Sequence, residues 1–463
     1  MQEHIERCVT DYWSTKSDDP DYAIIRNTMS KNRFKQLNRY FQIHNTTQDN
    51  MTPFDKLREI SNHLQHISLE LWEPATMLAI DEGMIPFDGR SAFITFIPNK
   101  PVNTGFKLWM ISQLGYSLGW FFHAAGQAKG KGGPVGVTRI KELKDNWTAM
   151  VVPELVEKLP NWKGKYHVFI DNLFTSEKLL SYCTKIGIGV TGTARKNSGV
   201  HESLLQLWES ERNKDNQANK WGTMRSVYVR NGIVSQAAFK DNSVVLLQSN
   251  TMDCSKLVTV SRKRPKMTSR KAKTARAPFG ENHTKDLPIP EAIDYYNKNM
   301  NHVDIGDQFR ASMPGRREYK NWRALFFKGM LSISIVNSYL LSRFSDINAD
   351  AKYESHTRFR KDLAVQLLQI KARLPPKTLE PALAKSIQGT QWDHEWGKLK
   401  QRQCGYCRLQ AKKARSILGP LSANRKIEKP PRVKHGCKKC KINLCKRSPK
   451  DCWDNWHGGL DKA

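Results

Sequence analysis

The stretch that decides the fold is residues 166–193, YHVFIDNLFTSEKLLSYCTKIGIGVTGT. Its first five residues form a short apolar run typical of a buried strand, residues 177–186 have helical spacing, and residues 187–193 are again strand-like. Four further strand-like runs precede it, at residues 75–80, 91–97, 106–113 and 119–125. Because strands and helices alternate, the sequence predicts a mixed α/β core.

The rest of the chain divides around this core. After Thr52-Pro53, apolar residues recur at steps of three and four, which predicts a helix with one buried face. Residues 227–234 and 243–249 are strand-like, whereas residues 291–308, 322–344 and 356–373 have helical patterns. We therefore expect a multidomain α/β protein in six segments: a helical N-terminal region (1–75), the core's first part (76–200), a β-rich basic insertion (201–290), the core's helical second part (291–375), a linker (376–400) and a cysteine-rich domain (401–463).

The charge balance indicates a polyanionic partner. Of the 463 residues, 75 are Lys or Arg and 44 are Asp or Glu, a net charge of +31, which favours nucleic acid. Residues 256–276 contain nine Lys or Arg and no acid, so we expect an exposed loop that binds phosphates, directs nuclear import, or both. No run of about 18 uncharged apolar residues is present, so no membrane span is expected. The expected location is the nucleus.

Two apolar runs end in an aspartate, at Asp81 and at Asp171. A charge at the end of a buried strand is costly unless something neutralises it, and carboxylate oxygens suit Mg²⁺ or Mn²⁺. If the two strands lie side by side, both carboxylates reach one rim of the sheet. The alternative is that each aspartate only forms a turn or caps a helix.

A third acidic group lies at Asp304 and Asp307, three residues apart and on one face if the segment is helical. Either could complete a site in which two divalent ions activate an attacking oxygen and stabilise a leaving one in phosphodiester chemistry. Three other acids compete as ligands: Glu82, Asp88 and Asp294.

Six of the nine cysteines fall between Cys404 and Cys452, in a basic tail where zinc is a better explanation than disulfides. The pairs Cys404-x-x-Cys407 and Cys437-x-x-Cys440 supply four thiolates for one tetrahedral Zn²⁺. A second site would use Cys445, Cys452 and His457, with His435 or His394 as its fourth ligand, or be incomplete. Residues 401–450 hold sixteen Lys or Arg and one acid, which favours DNA over the protein partners of ubiquitin-ligase-like zinc folds.

Several of these stretches resemble motifs of piggyBac-type transposases, in the order in which that family carries them. The similar segments are Met29-Ser30-Lys31-Asn32-Arg33-Phe34, residues 81–90 (DEGMIPFDGR), Pro98-Asn99-Lys100-Pro101, residues 105–109 (GFKLW), residues 170–176 (IDNLFTS), Tyr295-Tyr296-Asn297 and residues 303–308 (VDIGDQ). Two departures are the acid at Asp88 and a chain that opens almost directly on the helical region.

The resemblance implies a ribonuclease-H-like catalytic core with Asp81, Asp171 and Asp304 as catalytic metal ligands and Asp307 as an accessory one. It also implies a DNA transposase that cuts at transposon ends, inserts at TTAA sites, works as a homodimer on double-stranded DNA, and recognises its ends through the zinc domain. The expected DNA-contacting residues are Arg90, Lys107, Arg316, Arg317, Lys438 and Lys439, with a solvated surface as their alternative. The other functions considered are a domesticated, catalytically inactive DNA-binding protein and a zinc-dependent protein-interaction module.

Overall fold

The computed structural model describes residues 9–14, 23–44, 51–98, 100–124, 132–138, 140–143, 146–210, 220–268, 275–312, 322–344, 353, 355–373, 396–405, 407, 408, 430–437, 442–445 and 452. These fall into two compact units, Met1–Ala364 and Val365–Ala463. One large mixed sheet organises the first unit and a small antiparallel sheet the second, as the alternating pattern predicted for the core.

The large sheet has ten strands in the spatial order β5-β4-β3-β1-β6-β7-β10-β9-β8, with β2 paired to β3. They are β1 (Met77–Pro86), β2 (Thr95–Phe96), β3 (Thr104–Gln113), β4 (Tyr116–Ala124), β5 (Gly133–Pro134), β6 (His167–Ile170), β7 (Gly189–Thr193), β8 (Met224–Val229), β9 (Val234–Lys240) and β10 (Val244–Ser249). The β1–β6 and β6–β7 pairs are parallel, and the other pairs are antiparallel.

Ten α-helices accompany the strands in the described part of the chain. They are α1 (Ala23–Thr28), α2 (Lys31–Tyr40), α3 (Arg58–Leu71), α4 (Trp147–Glu157), α5 (Glu177–Ile186), α6 (Glu202–Ser210), α7 (Glu291–Asn299), α8 (His302–Ala311), α9 (Trp322–Phe344) and α10 (His356–Arg373). The middle of α9, Leu325–Met330, is wound as a π-helix.

Apolar residues of the central strands alternate between two cores. Along β3, Leu108 and Met110 belong to one core, whereas Trp109 and Ile111 belong to the other. Successive side chains of a strand point to opposite faces, so the sheet is buried on both sides. This double burial explains why β1, β3 and β4 read as nearly continuous apolar runs rather than as alternating ones.

Three sequence expectations about the strands need correction. The first strand does not end at residue 80, because β1 continues through Asp81 to Pro86. Three strands of the expected insertion belong to the core sheet, because β10 pairs with β7 and extends that sheet into β9 and β8. Part of the expected basic loop is a strand: β11 (Leu257–Lys263) pairs with β12 (Thr284–Pro290).

Helix α3 packs on β4 through polar contacts that a purely apolar stripe did not predict. Trp120 donates its Nε1–H to Ser61 Oγ (2.9 Å) and its backbone N–H to Gln65 Oε1 (3.0 Å). The apolar residues expected to form the buried face are Leu57, Ile60, Leu64, Ile67 and Leu71, and the last of these is 58% exposed. The packed face is therefore rotated from the one that the apolar residues suggested, because buried Ser61 and Ser68 share it.

By length and composition alone, helix α9 is long and apolar enough to cross a membrane. The sequence analysis had expected no membrane span. Over half of its most apolar window is buried within the protein (56%), and Trp322, Leu325 and Met330 belong to the core beside β3. A core helix of a folded protein passes the same test, so α9 is weak support for a membrane span.

The second unit contains a three-stranded antiparallel sheet. Its strands are β13 (Trp396–Gln403), β14 (Arg432–Cys437) and β15 (Ile442–Asn443), with β14 in the middle. A small buried cluster of Cys404, Leu444 and Cys452 lies at the end of this sheet. Among the described residues of this unit, the buried cluster consists of two cysteines and one leucine.

Candidate functional site

The parallel β1–β6 pair brings two aspartates together at one end of its ladder. Ile80 and Ile170 are register partners, so the next residues, Asp81 and Asp171, lie side by side where β6 ends. Asp81 is buried and Asp171 is partly buried. The prediction that the two apolar runs are neighbouring strands is thus confirmed, and both acids sit at one rim.

Burial dominates the electrostatics of Asp81 and raises its pKa to about 7. The ammonium of Lys100 and the backbone N–H of Glu82, which donates to Asp81 Oδ1 at 2.7 Å, act against that rise. The carboxylates of Asp171 and Glu82 add to it. Asp81 is thus a carboxyl that needs a positive neighbour to be fully ionised near neutral pH.

Asp171 also forms the turn that the alternative interpretation expected. Its Oδ1 accepts the backbone N–H of Leu173 at 2.7 Å, and the turn leads into α5, whose N-cap is Ser176. Burial still raises the pKa of Asp171, helped by the charge of Glu82 and opposed by the Leu173 N–H and the cations Arg195 and Lys100. Asp171 can form this turn and also face Asp81, because the turn uses only one of its two carboxylate oxygens.

Glu82 points to the other face of β1 and is neutralised by two lysines. Its Oε2 accepts from Lys107 Nζ at 3.0 Å, and its Oε1 lies 3.4 Å from Lys100 Nζ. Lys107 is buried and its ammonium also lies 3.8 Å from the centroid of the Trp109 ring. The structure therefore does not support the DNA contact expected of Lys107, since this side chain neutralises a buried acid instead of facing solvent.

The third acidic group lies on α8, which packs on β1 and β3. The approach is close, since a Cβ at Gly306 would stand 2.7 Å from the backbone oxygen of Gly115. Asp304 is exposed in the first turn of α8. Asp307 forms an ion pair with Arg310, whose guanidinium lies against Gly83, on the face of β1 that also carries Asp81.

The described residues contain one group of three or more potential ligand atoms within 4.8 Å of one another, and it is formed by cysteines. The structure thus brings Asp81 and Asp171 together but does not gather Asp304 with them into one tight ligand set. The three-aspartate site stays a prediction. The competing acids are otherwise occupied or exposed: Asp88 faces solvent and Asp294 pairs with Lys298 at 2.6 Å.

Two residues that the sequence did not single out lie near the strands that carry the acid pair. Lys100, from the segment before β3, lies 3.4 Å from Glu82 Oε1 of β1, and Tyr296 of α7 lies 3.3 Å from Thr193 Oγ1 of β7. Burial raises the pKa of Tyr296 to about 12, its hydrogen bond with Thr193 lowers it, and Asp171 and Asp81 raise it further. Both residues lie in segments that resemble piggyBac-type motifs, and that resemblance is the sequence feature that could have identified them.

The expected DNA-contacting residues are only partly described. Arg90 is exposed, as a DNA contact requires. Arg316, Arg317, Lys438 and Lys439 lie outside the described residues.

The cysteine cluster groups its ligands differently from the prediction. Among the described side chains, Cys404 and Cys407 come together with Cys445 and Cys452, and these four sulfurs lie within 4.8 Å of one another. The Sγ atoms of Cys407 and Cys452 are 3.4 Å apart, close to the roughly 3.8 Å expected between thiolates around a tetrahedral Zn²⁺. Sequence spacing missed this because β14 and β15 fold the chain back between the two pairs.

Cys440 and His457, and the side chain of Cys437, lie outside the described residues, as does His394. His435 is exposed on β14. The composition of a second zinc site is therefore still a prediction.

The pKa of Asp81 predicts a pH-dependent stability for the metal-free protein. The carboxyl holds its proton up to about pH 7 when folded but only to about pH 4 when unfolded, so its contribution to stability falls as pH rises between these values. Asp81→Asn removes this loss, which reaches about 4 kcal/mol at pH 8. Urea unfolding of both proteins with EDTA should show a stabilised variant at pH 8 and a small difference at pH 4.5. An equal difference at both pH values would contradict the assignment.

A second prediction concerns the buried Glu82–Lys107 pair. Lys107→Met leaves Glu82 with Lys100 alone, and breaking a buried pair in this way costs about 3 kcal/mol of unfolding free energy. Adding Glu82→Gln should recover most of that loss, because the unpaired charge is gone. Chemical denaturation of the two single variants and the double variant measures both effects. Additive losses in the double variant would show that the two side chains are not coupled.

Comparisons with known proteins agree with this architecture. A family profile described as Transposase IS4 matches residues 4–339. The human PiggyBac transposable element-derived protein 3 is 27% identical over 327 residues, covering 67% of this chain and 48% of the relative. The human PiggyBac transposable element-derived protein 2 is 24% identical over 341 residues, covering 72% of this chain and 51% of the relative. The chain thus spans about half the length of these curated relatives.

A solved structure has a similar fold. It is a cryo-EM structure of the piggyBac transposase synaptic complex with hairpin DNA, which this chain matches with a TM-score of 0.56 at 21% sequence identity. The match covers 93% of this chain and 81% of that one.

Proposed function

Since the chain belongs to the Transposase IS4 family, and within it to the piggyBac type, we propose that it is a cut-and-paste DNA transposase. The observation that carries the proposal is the acid pair, buried Asp81 and partly buried Asp171, at the end of two adjacent parallel strands. Two neighbouring carboxylates are suited to bind divalent cations through oxygen. The mixed sheet around it fits a ribonuclease-H-like core, into which β8 to β12 are inserted.

The proposed ligands for Mg²⁺ or Mn²⁺ are Asp81, Asp171 and Asp304, with Asp307 as an accessory ligand. Bound ions would activate the attacking oxygen and stabilise the leaving oxygen of a phosphodiester. The chain itself contributes burial, which excludes water from Asp81, and a turn that orients Asp171. Asp304, exposed in the first turn of α8, would complete the ligand set, and Asp307 is paired with Arg310 in the metal-free protein.

Basic surface on the first unit supports DNA as the partner. Helix α2 exposes Lys31, Arg33, Lys35 and Arg39, and none of its residues is buried. These cations and Arg90 would neutralise phosphates of a bound duplex, a contribution that weakens steeply with salt. Double-stranded DNA at transposon ends and TTAA targets, a homodimer that joins two ends, and a nuclear location complete the proposal.

The four clustered cysteines are the proposed structural Zn²⁺ site of the second unit. A thiolate set at this spacing suits zinc better than a hard cation. Cys437, Cys440 and His457 would form a second site with a fourth ligand such as His435. Lys438 and Lys439 would then lie in a zinc-stabilised unit that contacts the transposon end.

The test uses purified protein, Mg²⁺ and a labelled duplex carrying the terminal repeat that flanks its own gene. A transposase should produce nicks and hairpins at the repeat boundary, and EDTA should abolish them. A duplex of the same length with a scrambled repeat is the control. Binding without cleavage would favour the alternative of a domesticated, catalytically inactive protein. This alternative is worth testing because Asp304 does not form a three-residue cluster with Asp81 and Asp171 in the structure.

A further inference from the structure

Arg310 lies in a buried position between strand β1 and helix α8. A Cβ added at Gly83 would stand 3.4 Å from its Nη2 atom, and one added at Gly306 would stand 3.5 Å from its Nη1 atom, so two glycines make room for the guanidinium. The Nη2 atom also lies 3.7 Å from Met110 Sδ. Because Gly83 and Asp81 are two residues apart in β1, they share one face of that strand, and the guanidinium lies on the face that carries Asp81.

Among the described residues, this guanidinium pairs with one carboxylate, that of Asp307, through Nη2 and Oδ1. The Oδ2 atom of Asp307 makes no hydrogen bond or ion pair within that part of the chain. The Arg310 side chain is 7% exposed and its buried Nη1 atom has no hydrogen-bond partner there, whereas the Asp307 side chain is 29% exposed. An apolar side chain would fill such a position at a lower cost in stability, so stability alone does not account for an arginine here.

We propose that Arg310 is a positioning residue of the acidic site, which holds Asp307 by Oδ1 and leaves Oδ2 to bind a divalent ion. This inference rests on the proposed function, in which Asp307 is the accessory metal ligand. Carboxylates that bind metals are commonly oriented by hydrogen bonds from neighbouring groups. The planar fork of an arginine suits that task, because packing against Gly83 and Gly306 fixes the direction of its donors. Arg310 therefore acts on a bound ion only through Asp307.

The proposal predicts non-additive effects on metal binding. Arg310→Gln should weaken binding of Mn²⁺ to the DNA-free protein by about tenfold, measured by isothermal titration calorimetry, because the partner that orients a ligand is lost. Asp307→Asn should weaken it by a similar factor, and the double variant should bind no more weakly than Asp307→Asn alone. Arg358→Gln is the matched control, because it breaks an exposed Arg358–Asp362 pair within helix α10 (3.0 Å) and should leave Mn²⁺ affinity unchanged.

A merely structural arginine would lower the urea midpoint of Arg310→Gln without changing its Mn²⁺ affinity, and that result would overturn the proposal. Additive losses in the double variant, or no Mn²⁺ binding by the wild type, would overturn it as well. If Arg310→Gln does not fold, Arg310→Lys takes its place, since it keeps the buried charge without the planar fork and should lose Mn²⁺ affinity by at least about threefold.

The same experiments separate this inference from the proposed function. If the wild type binds Mn²⁺ but cleaves no terminal-repeat DNA, the proposed function fails. Non-additive losses of Mn²⁺ affinity at Arg310 and Asp307 would in that case still support the positioning role, because calorimetry requires no DNA.

Discussion

Asp171→Asn is expected to reduce cleavage of the terminal-repeat duplex by at least about 10³-fold. The carboxylate is one of two that meet at the end of the β1–β6 pair, and losing a metal ligand removes several kcal/mol of charge stabilisation, at about 1.4 kcal/mol per tenfold in rate. The amide keeps the oxygen that accepts the Leu173 N–H, so the turn before α5 should survive. Cleavage is measured by gel analysis of labelled strands, and end binding by a mobility shift that should stay near wild type.

The matched control is Asp88→Asn, which makes the same chemical change at an exposed acid just beyond β1. This variant should cleave like the wild type, because Asp88 faces solvent and not the acid pair. Asp304→Asn tests the third ligand, which the structure leaves apart from the pair, and it should lose activity as Asp171→Asn does. Full cleavage by Asp171→Asn would remove the acid pair from the mechanism.

Loss of zinc is expected to unfold the second unit. Cys404, Leu444 and Cys452 are its described buried cluster, so few apolar contacts remain to hold it without metal. Structural Zn²⁺ contributes about 10–16 kcal/mol in small zinc domains, which exceeds the net stability of most domains. Cys407→Ser should therefore lower the zinc content by one ion per chain and expose residues 396–452 to limited proteolysis.

Cys254→Ala is the control for that experiment, because Cys254 is buried in the first unit and is remote in sequence from the cluster. Its zinc content and its proteolysis of residues 396–452 should match the wild type. A Cys407→Ser protein with undiminished zinc would show that the four clustered sulfurs do not form the site. Proteolytic resistance after removal of all zinc would show that the unit has another source of stability.

The acid pair shows how much of a site can be predicted from a sequence. Two apolar runs, each ending in an aspartate, indicated which acids would meet if the strands were neighbours, because a buried charge needs a neutralising partner. The structure shows that these strands are neighbours. The same residues could not show that β1 continues past Asp81, since a strand buried on both faces has no alternation to mark its end. Lys107 was misassigned for a related reason: composition cannot distinguish a surface lysine from one that neutralises a buried Glu82.

The cysteines show the opposite limit. Their number, spacing and basic surroundings predicted zinc, but spacing did not show that Cys404 and Cys407 lie beside Cys445 and Cys452. Strands β14 and β15 fold the chain back on β13, and this brings Cys445 and Cys452 close to Cys404 and Cys407. The spacing of cysteines along the sequence does not encode that fold-back. Helix α3 was likewise predicted, but the face that it buries depends on Trp120 and Tyr116 of β4.

By itself, the sequence determined the class of the core, the order of its strands and helices, the acids worth testing and the transposase resemblance, because these follow from local periodicity, charge and motif. Only the tertiary structure decided which acids are adjacent, that Lys107 and Lys100 flank Glu82, that Asp307 pairs with Arg310, and which cysteines cluster. Those outcomes depend on strand register and on contacts between residues that are tens to hundreds of positions apart in the sequence. A buried charge pairs with whichever oppositely charged group the fold brings near it, because leaving it unpaired costs free energy.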